Sequence, residues 1–301
     1  MKQVFAVVGI GLMVVSSQAQ NLSFTSGVVS NFSNVTLSLQ GPTNQVVEVQ
    51  RLNRTNQTWD AMGTVRLSSV GSAAFNTTLH EGIYGFYRAK TTNNTYYSTN
   101  AFGAVAGTLD RGQVLIGNPF GPVPLTSLIP SPVEGTIVYR WDNPGGWAMA
   151  TYDLGEWDTN LTIGSLRGIL VRTPTNVVSQ RYLVSGLITT NLQTQSVPSG
   201  SSLLCSPVYK LVTPSQWIAD ELTTNRLGGY SSLPVQTSGS NPQCQIFQMV
   251  DTAGTYMTST LTSSNQWQTG GSNTVVKLEL TEGFWLSKPT NATWNVSVPI
   301  W

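Results

Sequence analysis

Short runs in which apolar and polar residues alternate dominate residues 21–100. Val35, Leu37 and Leu39 are separated by polar residues, as in a strand with one face buried, and Val47 and Val49 continue the pattern in a second run. A polar turn at 53–58 leads to Trp59, Met62, Val65 and Leu67, then to a run over 73–79 and a closing run over 82–91 with Ile83, Tyr87 and Ala89 on one face. Several short strands in so little chain predict a β-sandwich of the immunoglobulin or fibronectin type III kind over residues 20–100. Residues 101–112 open on small residues, Ala101-Phe102-Gly103-Ala104-Val105-Ala106-Gly107, and read as a linker or edge segment.

The rest of the chain repeats itself. Val114-Leu115-Ile116-Gly117-Asn118-Pro119 is matched by Leu203-Leu204-Cys205-Ser206-Pro207, and short helical stretches follow at Pro124 to Ile129 and Pro214 to Leu222. Ile137 to Asp142 answers Ile246 to Asp251, and Gly146-Trp147 answers Gly254-Thr255-Tyr256. Trp157 answers Trp267, and Gly168 to Pro174 answers Gly283 to Pro289, with glycine and proline six apart in both. Final strands at Tyr182 to Ile188 and Trp294 to Val298 close the copies. Copy 1 therefore covers 113–190 and copy 2 covers 200–301. Two copies are too few for a solenoid, so a pseudo-twofold sandwich or barrel that buries both apolar faces together is expected. The fold class is all-β, with two short helices.

The N-terminus adds a destination. Lys2, an apolar run from Val4 to Val15, and small residues at Ser17 and Ala19 have the order of a secretory signal peptide, with cleavage expected after Ala19. The run is short for a membrane span, which needs about 20 apolar residues, and no second long apolar run follows. The expectation is a secreted or cell-surface protein, with the periplasm as an alternative and no membrane span after cleavage.

Composition narrows the partners. Charged residues make up only 10% of the chain, against about 25% in ordinary domains. Without Lys2 the 15 basic residues become 14, equal to the 14 acidic ones. A neutral chain with no basic cluster is not expected to bind nucleic acid or an anionic membrane surface. The two cysteines, Cys205 and Cys244, predict one disulfide in an exported chain, the alternatives being two buried thiols or a metal pair. With a single histidine, His80, distant in sequence, no metal site and no cofactor are expected.

Catalytic signals are weak. A serine-hydrolase triad would need His80 as its base, yet His80 reads as a turn residue and no Gly-x-Ser-x-Gly elbow occurs. Asp142, Asp153, Glu156 and Asp158 form the densest acidic group. Such carboxylates can bind calcium or act as a glycosidase pair, but the spacing is not that of an EF-hand and the reading favoured is solvated turn carboxylates. The nine tryptophans are the richer signal. Exposed aromatic faces stack on sugar rings, and Trp is common at binding surfaces. Trp147 and Tyr256, on turns, are the best ligand-binding candidates, with Trp141 beside them, and Arg140 and Arg172 read either as guanidinium partners or as residues that simply fill a polar face. Trp157 and Trp267 are expected to pack.

These strands also carry a likeness. Leu115-Ile116-Gly117-Asn118-Pro119, the Val-Tyr-x-Trp-Asp strand at 138–142, Tyr152-Asp153 with Glu156-Trp157, and Gly-x-x-Val-Arg-x-Pro at 168–174 resemble a broad group of uncharacterised secreted all-β proteins of verrucomicrobial-type bacteria. Gly85-Phe86-Tyr87-Arg88-Ala89 looks like the closing strand of the small sandwich modules beside such units. Copy 2 departs from the pattern, with Met249-Val250 where copy 1 has Trp141 and Ser287-Lys288 where it has Arg172-Thr173. The resemblance implies location and fold and carries over no catalytic residues.

The functional expectation is a non-catalytic structural or interaction protein, its partner a cell-surface protein or polysaccharide. The alternatives are a polysaccharide-binding module using turn-exposed aromatics and a carboxylate-based glycan hydrolase or lyase.

Overall fold

The computed structural model describes residues 21–53, 58–80, 84–93, 96–143, 145–189, 193–205, 219–223, 226–227, 231–232, 244–261, 267–273, 276–279, 281–289 and 291–296. The expected signal peptide, residues 1–19, lies outside them. Among the described residues the chain is all-β, in five sheets none of which closes into a barrel. Helix is limited there to α1 (Leu125–Leu128), and no helix among the described residues is long and apolar enough to cross a membrane.

Strands are numbered in chain order. The first sheet has the order β1 (Ser23–Ser30), β2 (Asn34–Gln40), β5 (Ser72–Thr78). The second runs β15 (Ser179–Thr189), β7 (Asn100–Asp110), β6 (Tyr84–Thr91), β3 (Val46–Leu52), β4 (Trp59–Arg66). The large sheet runs β12 (Glu156–Trp157), β11 (Gly146–Asp153), β10 (Ile137–Asp142), β14 (Arg167–Thr173), β17 (Gly200–Cys205), β26 (Gly283–Lys288), β21 (Gln245–Met249), β22 (Tyr256–Leu261), β23 (Trp267–Thr269), β24 (Ser272–Asn273), with β8 (Gly112–Asn118) also pairing with β14. A small sheet joins β13 (Thr162–Ile163) to β9 (Val123–Pro124). The last has the order β16 (Gln193–Val197), β27 (Ala292–Val296), β20 (Ser231–Ser232), β19 (Arg226–Leu227), β18 (Ala219–Thr223), β25 (Val276–Glu279).

Two apolar clusters hold three of these sheets in layers. Alternation buries Val35, Leu37 and Leu39 of β2 against Val47 and Val49 of β3, Tyr87 and Ala89 of β6 and Phe102, Ala104 and Ala106 of β7. The other faces of β6 and β7 send Tyr84, Phe86, Ala101, Val105 and Leu109 into a second cluster with Val138, Ile169, Val171 and Leu286 of the large sheet. The second sheet is thus a middle layer buried on both faces, where a strand reads as continuously apolar rather than alternating.

That placement corrects the expectation for 101–112. The segment is no linker: β7 is an interior strand paired along its whole length with β15 and also with β6. Its glycines make room for large side chains. Gly103 and Gly186 are register partners, and Phe120 fills the space that side chains on either would occupy. The segment ending copy 1, Tyr182 to Ile188, lies in β15 and so joins the middle layer rather than the large sheet.

The short helix expected at Pro124 to Ile129 forms as α1. At Pro214 to Leu222 the expectation is corrected: 219–222 belong to β18, which pairs with β25 from Ala219 opposite Glu279 to Leu222 opposite Val276. Cross-strand pairing outweighs the helix preference of Ala, Glu and Leu, and residues 214–218 lie outside the described residues.

The disulfide is also corrected. Cys205 and Cys244 are both buried and are not joined in a disulfide. Cys205 lies opposite Gly283 at one end of β26, whereas Cys244 precedes Gln245, the partner of Ser287 near the other end. About five strand residues at ~3.3 Å each separate them by roughly 17 Å, and a disulfide needs Cα atoms within about 7 Å.

Candidate functional site

Side chains on a strand alternate between faces, so the face of the large sheet turned away from the middle layer follows from the buried positions. Val138, Ala150, Ile169, Val171, Ile246 and Leu286 point into the core. Their neighbours Tyr139, Trp141, Trp147, Met149, Leu170, Phe247 and Trp285 therefore share the opposite face. Trp141 and Trp147 are register partners in the β10–β11 hairpin. Trp285 comes from β26, opposite Leu203 and Phe247.

The three indoles form one cluster. Ring centroids are 5.2 Å apart for Trp141 and Trp147, 5.4 Å for Trp147 and Trp285, and 5.8 Å for Trp141 and Trp285. Interplanar angles are 73°, 85° and 71° in the same order, and Tyr139 meets Trp147 at 5.8 Å and 77°. Edge-to-face pairs of this kind add about 0.5–1.5 kcal/mol each beyond area burial. Trp141 is fixed further: its Nε1–H donates to the Ser201 carbonyl at 2.8 Å, and the Asn143 side-chain amide donates to the same oxygen at 3.0 Å. The hairpin is therefore latched onto β17. Trp147 remains 46% exposed and Met149, two residues along the same face, 50% exposed.

The sequence-derived candidates divide accordingly. Trp141 and Trp147 are brought together. Tyr256 is half-buried on β22 opposite Met249, with β10, β14, β17, β26 and β21 between its strand and β11 in the sheet order. Arg140 alternates with Trp141 and leaves the aromatic face. Its guanidinium is held by both oxygens of Asp142, at 2.8 and 2.7 Å, and donates to the Thr162 carbonyl at 2.8 Å. Trp285 was not among the site candidates. The signal for it is alternation: Phe284 and Leu286 are the apolar neighbours that must face the core, which turns Trp285 outward. Trp267 is buried in the core, and Trp157 packs against it from the edge, with Tyr152 at 5.3 Å.

Two of the four acidic candidates, Asp142 and Asp158, are engaged locally, and Glu134 serves a turn beside them. Asp142 binds Arg140, and Asp158 accepts the Thr151 N–H at 2.8 Å. Glu134 accepts those of Leu154 and Gly155 at 3.0 and 2.8 Å. Among the described residues no group of three or more His, Cys, Asp and Glu side chains is placed to hold a metal ion. His80 forms an isolated antiparallel bridge with Tyr84, and their rings lie 5.3 Å apart. A cleft of about 240 Å³ opens between the β7–β8 turn and the β21–β22 turn, with Asp110, Gln113, Met249, Asp251 and Glu282 in its wall. Two of these carboxylates are engaged locally: Asp251 accepts the N–H groups of Ala253 and Thr255, and Glu282 accepts the Gln248 amide.

No protein-family model matches the chain, and no curated protein is similar enough to count as a relative.

Proposed function

We propose that the protein is a non-catalytic, exported interaction module that makes contact through the aromatic face of its large sheet. The observation that carries this reading is Trp147: an indole held by two others and left 46% exposed next to an exposed Met149. A large side chain that is both fixed and uncovered is the anchor of a binding surface rather than part of a core. Export rests on the charged, apolar and small-residue order of 1–19. The non-catalytic reading is supported by carboxylates committed to turns and to Arg140.

The architecture proposed beneath this surface is an immunoglobulin- or fibronectin-like sandwich followed by a duplicated β unit. Strand pairing supports the duplication. β14 lies between β8 and β10, as β26 lies between β17 and β21, and the hairpin β10–β11 followed by β12 corresponds to β21–β22 followed by β23. In the matching registers Trp147 corresponds to Tyr256 and Trp157 to Trp267. Equivalent bonds join the two units in both directions: Cys205 N–H donates to the Leu166 carbonyl at 3.1 Å, and Gly117 N–H to the Thr281 carbonyl at 2.7 Å. Leu166 and Thr281 share a left-handed backbone, with φ of 58° and 64°. The aromatic cluster draws two indoles from one unit and the third from the other.

The test is binding of the labelled, exported chain to cells of the producing organism, wild type against Trp147→Ala, with matching circular dichroism spectra. Binding by the wild type that weakens about tenfold or more in the variant is expected, since a central Trp anchor is worth upwards of ~1.4 kcal/mol. Equal binding by both chains overturns the assignment of the face, and no binding by either overturns the role.

A further inference from the structure

We infer that the ligand of this face is an uncharged polysaccharide, held as a single chain by one sugar ring stacked on Trp147; this rests on the interaction-module reading above. The first argument is size. The most exposed apolar surface is about half an indole and half a thioether side chain, with Tyr139, Trp141, Leu170, Phe247 and Trp285 each adding only a part-buried margin, and a whole aromatic side chain buries only about 150–250 Å². A stable protein interface takes roughly 800 Å² from each partner. One sugar ring fits the smaller area, because the axial C–H groups of a pyranose present an apolar patch of indole dimensions.

The second argument is shape. The three indoles meet at 71° to 85°, so no two ring faces are parallel. A flat crystalline glycan needs coplanar rings spaced along its surface, and in this cluster one ring, that of Trp147, is close to half exposed. What the other two indoles supply is preorganisation. Trp141, tied to Ser201, and Trp285 abut Trp147, so little side-chain freedom remains to be lost when a sugar binds.

The third argument is charge. Besides the two indoles, Tyr139 and Met149 stand beside Trp147 on this face, with Leu170 beyond Tyr139 on β14, and none is ionic. Arg172 stands opposite Ile137, four residues along β10 from Trp141, and Asp153 ends β11. The surroundings of the exposed ring suit hydroxyl groups, and among the described residues no cation stands beside it to pair with a uronate or sulfate. The site is also single. At the corresponding registers of the other half stand Tyr256, Met249 and Leu170 in place of Trp147, Trp141 and Trp285, so a stoichiometry of one is expected.

Affinity electrophoresis of the exported chain tests this in gels containing soluble neutral polysaccharides (xyloglucan, glucomannan, mixed-linkage β-glucan, starch) and soluble anionic alginate, alongside sedimentation with crystalline cellulose. Retardation on at least one neutral chain is expected, with one site by titration calorimetry. Affinity should fall about tenfold or more in Trp147→Ala, fall less in Trp147→Phe, and stay unchanged in Tyr256→Ala. Retention only by alginate or cellulose overturns the inference, and so does equal loss in Tyr256→Ala. If no glycan is bound while Trp147-dependent binding to cells persists, the glycan is wrong, the interaction module stands and the partner is a protein. If cell binding too is independent of Trp147, both readings fall together.

Discussion

A side chain added to Gly117 would fall on the Cys205 thiol. The two residues sit where β8 and β17 approach, each donating its backbone N–H to the strand connection of the other unit, at Thr281 and Leu166. Neither neighbour can withdraw, because Cys205 is wholly buried and paired with Gly283. Gly117→Ala is therefore expected to cost about 1–3 kcal/mol, as overpacking of a dense core does. Cys205→Gly removes the obstructing atoms. The double variant should be more stable than the sum of the two single changes by at least about 1 kcal/mol in urea denaturation. Additive effects would mean that the contact does not limit packing there.

The cysteines carry a second expectation. Burial pushes the Cys205 thiol well up, so little thiolate exists at neutral pH. Neither thiol should react with a thiol reagent in the folded chain, two should react after denaturation, and reductant should leave Tm unchanged. The pH dependence has a definite sign. The folded state keeps the Cys205 proton to higher pH than the unfolded one, so the thiol's contribution is complete below its ordinary value of 9.0 and is lost as pH rises beyond it. A Tm that falls on adding reductant would show a disulfide and contradict the separation along β26.

How far the sequence reveals this molecule depends on what surrounds each segment. β2 was legible because one face meets the core and the other water, which writes Val35, Leu37 and Leu39 as alternation. β7 was not, because it is buried on both faces and uses Gly103 beneath Phe120, and small residues without alternation look like a linker. The pair Trp141 and Trp147 was legible as a hairpin with aromatics near its turn, and Trp267 as core. Trp285 lay hidden in an apolar run, where only the face assignment separates it from Phe284. Of the two readings of Arg140, its contacts with Asp142 and Thr162 favour the polar-face one, for the same reason in reverse: next to Trp141 in sequence means opposite to it in space.

The indoles of the cluster should separate in their effect on stability. Trp141 makes ring contacts with Trp147 and Trp285 and a hydrogen bond to Ser201. Trp141→Ala should destabilise by about 2–4 kcal/mol, since it removes a packed aromatic and also unlatches the hairpin. Trp147→Ala removes ring contacts with Tyr139, Trp141 and Trp285 but no hydrogen bond, and the ring is half exposed, so it should cost less than Trp141→Ala, about 1–2 kcal/mol. Thermal denaturation of the two variants decides this. Equal losses would make Trp147 a structural residue and remove it as a contact residue.

Asp251 provides the last test, in the turn between β21 and β22. The Thr255 hydroxyl and backbone N–H, with the N–H groups of Ala253 and Gly254, hold its carboxyl below the ordinary carboxylate value of 3.8. Because the folded value is the lower one, the turn's stabilisation is complete above 3.8 and is lost as pH falls through the depressed midpoint. Amide resonances of Ala253 and Thr255 should titrate together with that midpoint, and Asp251→Ala should fray the hairpin at every pH. The aromatic cluster is built from β10, β11 and β26 and does not depend on this turn. Ligand binding through Trp147 should therefore persist in Asp251→Ala while the amides of β22 lose protection. Loss of binding in that variant would place the contact surface at the β21–β22 turn, with Tyr256, rather than at Trp147.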